Sequence, residues 1–370
     1  MKRRLKTGFT TGTAAAAAAK AALRYLLEGR KPASVRIELL TGDRIAIAVH
    51  HCERTAENQA KCTVIKDAGD DPDVTHKAEI GATVTLEATQ AARKTHCNHH
   101  RGIHISGGVG VGKITKPGLE MPPGEPAINS GPRKMIDQAI NETLAKHDIL
   151  GSVSVEVFVP RGAEIAQKTL NARLGILGGI SILGTTGLVR PMSHDAFIAT
   201  IDSALSVARA TGNNRVVLTT GRRSERYAQR LWTHLPEEAF VQIGDFFKRS
   251  LEKAAGYGFK QITLAVFFGK ALKMAQGVPH THAAKSRLTL DRLSNWTMRI
   301  ARDSSLSTRI LSANTARHAF DMIWPDHPEV IAHVGKQVLS SARMFAGKKI
   351  QIQSVIFDYD GKLAFDSDRE

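Results

Sequence analysis

Short apolar runs and helical stretches take turns through the second half of the chain. Residues 216–218, 240–243 and 262–267 are each of strand length, and helical spacing separates them. Strands joined through helices require crossovers rather than hairpins, so this half predicts parallel strands with crossover helices. The carboxyl ends of these runs carry Thr219-Thr220-Gly221, Gly244-Asp245 and Gly269-Lys270. Open parallel sheets bind ligands at those ends. Residues 284–345 read as mostly helical, and 350–357 as a last strand before a polar tail.

The first 160 residues have a different rhythm. Residues 35–40 and 44–49 alternate as strands do around the turn Thr41-Gly42-Asp43, with further strands expected at 61–65, 80–88, 103–106 and 153–159. A helix is expected from Gly12 to the stop at Gly29, and another from Pro132 to about His147. The six alanines Ala14 to Ala19 let another backbone or a ligand approach closely. At 370 residues the chain exceeds one small domain. We expect an α+β amino-terminal domain over residues 1–175, with glycine-rich and acidic loops on the substrate side. An α/β domain with a parallel, Rossmann-like sheet and a helical carboxyl-terminal region follows over 176–370, on the cofactor side.

Hydrophobic residues make up 42% and charged residues 23%, which excludes a disordered or fibrous chain. No apolar stretch is long enough to cross a bilayer. The basic start with Arg3-Arg4 has the outline of an export signal. Lys20 interrupts the alanine run, however, and alanine makes a poor apolar core, so the run reads as a buried helix. Cys52, Cys62 and Cys97 are an odd, sparse set that gives no disulfide framework and fits a reducing cytoplasm. The net charge of +16 attracts polyanions; nucleic acid and a substrate with many carboxylates both satisfy it.

Five segments carry candidate chemistry. Thr7-Gly8-Phe9-Thr10-Thr11-Gly12-Thr13 offers amides and hydroxyls at a helix start, an anion site or an ordinary cap. Lys66-Asp67-Ala68-Gly69-Asp70-Asp71-Pro72-Asp73 sets four carboxylates within seven residues. A calcium loop opening at Asp67 needs Glu at its twelfth position, where Ala78 stands. An acid or base site remains, since crowded carboxylates push their pKa values apart, or else an acidic surface turn. Gly107-Gly108-Val109-Gly110-Val111-Gly112-Lys113 fits the start of a P-loop, but Ile114 replaces the magnesium-binding Ser or Thr. Thr115-Lys116-Pro117-Gly118 cannot continue a helix either, leaving a basic, amide-rich loop or a bend between strands. Residues 175–192 hold five glycines with small hydroxyls, open enough to pass close to a cofactor or to link two domains. His50, His51, Cys52, His96, Cys97, His99 and His100 match no zinc spacing, and no metal site is expected.

In order along the chain, these segments resemble the cobalt-precorrin-5B methyltransferase family, also called CbiD. The resemblance runs from Thr7 through the acidic segment ending Val74-Thr75, Gly107 to Leu119, Pro126-Ala127-Ile128-Asn129 and Pro132-Arg133. Its most specific block is Gly179-Ile180-Ser181-Ile182-Leu183-Gly184-Thr185-Thr186-Gly187 with Pro191-Met192-Ser193. Gly244-Asp245-Phe246, Gly269-Lys270 and Thr281-His282 complete it. The chain departs at Ala14, where Cys is common, and at Arg222, where a small residue or Asn is common.

The resemblance implies methyl transfer from S-adenosylmethionine to carbon 1 of an anionic cobalt corrin, with cobalt only inside the substrate. For this reading Asp67 and Asp70 are the catalytic candidates. Thr10, Thr11, Gly12, Lys66, Gly110, Gly112, Lys113, Lys116, Asn129 and Arg133 are the substrate-binding candidates. Gly178, Gly179, Ser181, Gly184, Thr185, Thr186, Gly187 and Asp245 are the cofactor-binding candidates. No nucleic acid or membrane partner is implied, and the long helical region leaves room for a homo-oligomer. The alternatives are a basic RNA-binding protein, an NTP-dependent enzyme using Gly107 to Lys113, and a protein that holds a corrinoid without turnover. Against the first of these, only 3 Trp and 4 Tyr are available for base stacking; against the second, the P-loop lacks its hydroxyl.

Overall fold

The computed structural model describes residues 5–87, 102–282 and 286–369. His96, Cys97, His99 and His100 lie outside them. The chain forms two units, Met1–Ser193 and His194–Glu370. Unit 1 holds β1 (Gly8–Phe9), α1 (Thr11–Glu28), β2 (Ser34–Glu38), β3 (Arg44–Ala48), β4 (His51–Ala56), β5 (Gln59–Ile65), β6 (Glu79–Glu87), β7 (Ile103–Gly107), β8 (Lys113–Ile114), α2 (Ser130–Lys146), β9 (Ser152–Phe158), α3 (Gly162–Ala166), β10 (Ile176–Leu177) and β11 (Leu188–Val189).

Its main sheet has the order β4-β5-β6-β9-β7, antiparallel except for the parallel β7–β9 pair. Helix α1 starts where the Thr10 hydroxyl accepts the Thr13 amide, and it stops at Gly29, whose φ of 69° only glycine adopts freely. All the alanines of α1 are fully buried against β5, β6 and α2, because a side chain of one carbon lets helix and sheet close up. Cys52 on β4 and Cys62 on β5 are register partners, with Cα atoms 4.1 Å apart, and they form a disulfide. That corrects the expectation of no disulfide. Residues ten apart in sequence had become directly opposed across a hairpin, where side chains lie closest.

Unit 2 holds α4 (His194–Ala210), β12 (Arg215–Thr219), α5 (Arg222–Leu231), β13 (Phe240–Gln242), α6 (Phe247–Gly256), β14 (Gln261–Phe267), α7 (Phe268–Ala275), α8 (Ser286–Ile300), α9 (Ser304–Leu311), α10 (Ala316–Ile323), α11 (Pro328–Ala346), β15 (Gln351–Phe357) and β16 (Leu363–Asp366). The sheet order is β13-β12-β14-β15-β16, parallel over the first four strands and antiparallel at β16. Successive residues of β12 point to opposite faces. Val216 and Leu218 join the larger core with α4, α6, α7 and α11, while Val217 packs with Ala228 and Trp232 on the side of α5.

Two expectations need correction. The tail after β15 is not merely polar, since Leu363–Asp366 pairs back on β15. Residues 176–193 fall in unit 1 rather than opening the second domain. The reason is hydrogen bonding: β11 pairs with β1 and β10 with β8, which ties this stretch to the amino-terminal half. The parallel strands also follow the order second-first-third-fourth, which is that of flavodoxin-like doubly wound sheets, not of the dinucleotide-binding Rossmann sheet.

Candidate active site

In unit 1 the glycine-rich segments are woven together by their backbones. Gly112 N–H donates to Ile180 O, Ile180 N–H to Gly110 O, Ala127 N–H to Gly112 O and Ile182 N–H to Ala127 O. Asn129 N–H closes the weave on Ile182 O. A Cβ on Gly110 would overlap the Val159 carbonyl oxygen, and one on Gly162 or Gly179 the Gly110 carbonyl oxygen. These glycines let three backbone segments touch. The weave corrects the picture of an amide-rich anion loop. The amides of Gly108, Val111, Gly112 and Ile114 are already spent, and Lys113 enters β8 instead of a helix.

The threonines at the start of α1 are spent in the same way. Thr11 Oγ1 donates to Leu183 O at 3.2 Å and accepts from Leu183 N at 2.9 Å; Thr13 Oγ1 donates to Gly187 O at 2.7 Å. Thr10 N–H donates to Gly187 O and Gly12 N–H to Leu183 O. The helix start thus grips residues 183–187, not a free anion. Gly184 sits on Thr10, where a Cβ would strike the Thr10 side chain. Ser181 Oγ reaches Asn171 at 3.5 Å, and Thr186 Oγ1 caps Leu188 N at 3.2 Å. Thr185 is exposed, and Gly178 turns at a φ of 80° with open space around it. Arg133 donates to Ile128 O at 2.9 Å and reaches Glu125 at 3.4 Å, and Lys116 reaches Arg173 O at 3.4 Å. Among the substrate-binding candidates, Lys113 is the exposed cation.

The acidic segment is a clamp. Asp67 takes the Lys6 ammonium at 2.6 Å and the Gly69 amide at 2.8 Å. Asp70 accepts Lys6 N–H at 2.7 Å, and Asp71 accepts Met192 N–H at 2.9 Å. Lys66, only 1% exposed, pairs with Asp73 at 2.5 Å, and Asp73 also takes the Thr75 amide and hydroxyl. The Lys6 hydrogen bond, aided by the Gly69 amide, holds the Asp67 carboxyl below its ordinary value. A carboxyl lowered in this way is a weak base. Among the described residues no three His, Cys, Asp or Glu converge to hold a metal ion.

Unit 2 offers an open edge. Beyond β13 come Gly244 and Asp245, beyond β12 Gly221 and α5, and beyond β14 Gly269 and Lys270. Lys270 Nζ binds Asp245 Oδ1, and the Thr281 hydroxyl donates to the same oxygen at 3.1 Å. Since β12 lies between β13 and β14, this pair bridges the end of β12. Burial pushes the Asp245 carboxyl up, but Lys270 and Thr281 outweigh it and hold it low. Phe246 meets His280 edge-on at 4.8 Å and His194 at 5.3 Å. His280 Nε2 is buried without a hydrogen-bond partner, and burial keeps its ring from protonating as readily as usual.

Comparison with known proteins bears on both units. The CbiD family model matches residues 1–191, and the model of the CbiD C-terminal domain matches 280–368. The chain belongs to the CbiD family. Relatives named cobalt-precorrin-5B C(1)-methyltransferase include one from Geobacillus kaustophilus, 44% identical over 322 residues, which span 87% of this chain and 83% of that one. Another, from Salinispora arenicola, is 42% identical over 361 residues, 96% of this chain and 91% of that one. A crystal structure of a cobalamin biosynthesis protein (cbiD) from Archaeoglobus fulgidus is 27% identical, with a TM-score of 0.39, over 72% of this chain and 78% of that one.

Sequence reasoning on this CbiD chain named Asp245, Phe246, Lys270 and Thr281 but overlooked the two histidines beside them. His194 and His280 stand 86 positions apart and meet only through the fold, stacked at 5.3 Å. It also passed over the arginines of α5, although Arg222, Arg226 and Arg230 recur every fourth residue, a spacing that places them on one helix face.

Proposed function

We propose that the protein transfers a methyl group from S-adenosylmethionine to carbon 1 of cobalt-precorrin-5B, giving cobalt-precorrin-6A on the oxygen-independent route to cobalamin. The observation that carries this reading is the likeness to relatives bearing that activity in their names, at 42% identity over 96% of the chain and hence through both units. The cobalt is then part of the substrate, an anionic corrin small molecule.

The open edge of unit 2 suits such a donor. Asp245 spends Oδ1 on Lys270 and Thr281, which leaves its other oxygen for a ribose diol or for the positive sulfur. Beside it the unpartnered His280 Nε2 and the rings of Phe246 and His194 form an aromatic cluster against which an aromatic base could pack. When bound, S-adenosylmethionine supplies an electrophilic methyl group on a sulfonium. The protein's part is to align that group with the ring carbon and keep water out, which accounts for much of such a rate. Asp67 and Asp70 serve here to hold the amino-terminal segment, because Lys6 occupies both. The glycine segment Gly107 to Lys113 supports no nucleotide reading, since the amides of Gly108, Val111 and Gly112 are spent and no helix follows.

The test is anaerobic incubation of the protein with cobalt-precorrin-5B and methyl-labelled S-adenosylmethionine. Label in the corrin ring is expected for the wild type and for Asp67→Asn, and a strong loss for Asp245→Ala. Binding of both compounds with no label transferred would sink the reading.

A further inference from the structure

The parallel strands of unit 2 run in the order β13-β12-β14-β15, so the chain leaves β12 toward one edge and returns past it to β14. In doubly wound sheets of this order, the crevice outside the carboxyl ends of the first and third strands binds ligand. Here that crevice lies between the ends of β12 and β14. At its floor the Thr219 hydroxyl is fully buried and has no hydrogen-bond partner. A Cβ on Gly221, two residues on, would meet nothing within 4 Å, so the mouth is open.

The wall is cationic and aromatic. The Arg223 guanidinium lies 5.0 Å from the centre of the Phe267 ring. Phe267 stacks on Tyr359 at 5.8 Å and 3°, and Arg317 covers Tyr359 at 4.7 Å. Arg223 also donates to Tyr359 O, so this stack is held in place. The side chains of Arg222 and Arg226 are exposed and make no hydrogen bond or ion pair among the described residues. Two nearby acids are engaged elsewhere. Glu225, only 7% exposed, takes the Gln242 amide at 2.6 Å. Asp358 accepts the amides of Asp360 and Lys362 within its own turn. Asp321, whose charge reaches the Tyr359 hydroxyl, and Asp360 form no ion pair with an arginine among the described residues.

We infer that Arg222, Arg223, Arg226 and Arg317 form the grip for the carboxylate arms of the tetrapyrrole substrate, with the Phe267–Tyr359 pair as the apolar slab beside it. This rests on the methyltransferase reading above. Guanidinium forks match carboxylates two bonds at a time, and several arms need several arginines. The same charges oppose the cationic sulfonium, which leaves the donor on the Asp245 side of the edge. In unit 1, by contrast, Thr10, Thr11 and Arg133 are held by protein partners.

The experiment titrates the full chain with cobyrinic acid, a cobalt corrin with free carboxylate arms, with cobinamide, whose arms are amidated, and with S-adenosylmethionine. The wild type should prefer cobyrinic acid. The exposed double variant Arg222→Gln/Arg226→Gln, and separately Arg317→Gln, should weaken cobyrinic acid tenfold or more, leaving cobinamide, S-adenosylmethionine and the unfolding midpoint as in the wild type. Unchanged affinity of the variants for cobyrinic acid overturns the grip while leaving the methyltransferase reading intact. Failure of the wild type to bind either cobyrinic acid or S-adenosylmethionine overturns both. Wild-type binding of a single-stranded RNA, lost in the double variant, assigns the arginines to nucleic acid and overturns the grip.

Discussion

Lys66 is the most deeply buried charge of unit 1, and its partner Asp73 is the better anchored of the two. Removing one member of such a pair leaves the other's charge uncompensated, and the cost depends on how buried the survivor is. Asp73→Ala strands an ammonium that is 1% exposed and should cost about 3 kcal/mol in urea unfolding. Lys66→Met leaves a carboxylate that is 26% exposed and keeps its Thr75 bonds, so it should cost less. Equal costs would contradict the asymmetry. Acid should act on the same segment. Burial pushes the Asp73 carboxyl up, but Lys66 and Thr75 pull it further down, and Asp67 is lowered by Lys6 and Gly69. Carboxyls depressed in the folded state contribute stability that is present above their unfolded value of about 3.9 and lost as pH falls through the folded values. Urea midpoints should therefore stay level from neutral pH to about 4 and drop below it; a drop centred near pH 6 would point to histidine instead.

The glycine weave and helix α1 show how unevenly sequence reveals structure. The limits of α1 are written locally, in the Thr10 cap and the Gly29 stop, and they were legible. Strand β16 was also written locally, in the Asp360-Gly361 turn between β15 and Leu363, but its four residues vanished into a polar tail. The weave was not legible. Gly110 and Gly179 signal their freedom, but not that each is the other's contact across 69 positions. For that reason a stretch that reads as a cofactor loop is a structural seam. Gly162→Ala, which forces a Cβ onto the Gly110 carbonyl, should lower stability by up to about 3 kcal/mol. Thr11→Val removes the hydroxyl that holds Leu183 and should cost about 1–3 kcal/mol. Thermal unfolding of both variants checks this, and wild-type melting in either would show that the seam gives way freely.

For the chain as a whole, the charge of +16 gains meaning from where the unpaired arginines stand. Exposed charges are screened within about 8 Å at physiological salt. Added salt should weaken the binding of a corrin polycarboxylate far more than that of S-adenosylmethionine, as parallel titrations at low and high salt would reveal. The alternating rhythm of unit 2 disclosed its parallel sheet, because crossover helices leave a periodic trace. The strand order left no such trace, since it depends on which neighbour each strand meets.

The two units are each a single stretch of chain, yet the first is closed by its own ends, β1 pairing with β11. During synthesis the first strand must wait for residues 188–189, made about 180 residues later. At roughly 5–20 residues per second that wait lasts about 9–36 s. Until then the threonines at the start of α1 have no loop to hold. Once it ends, unit 1 has every segment it needs while almost all of unit 2 is still to be made, so the order of manufacture keeps the two foldings apart in time.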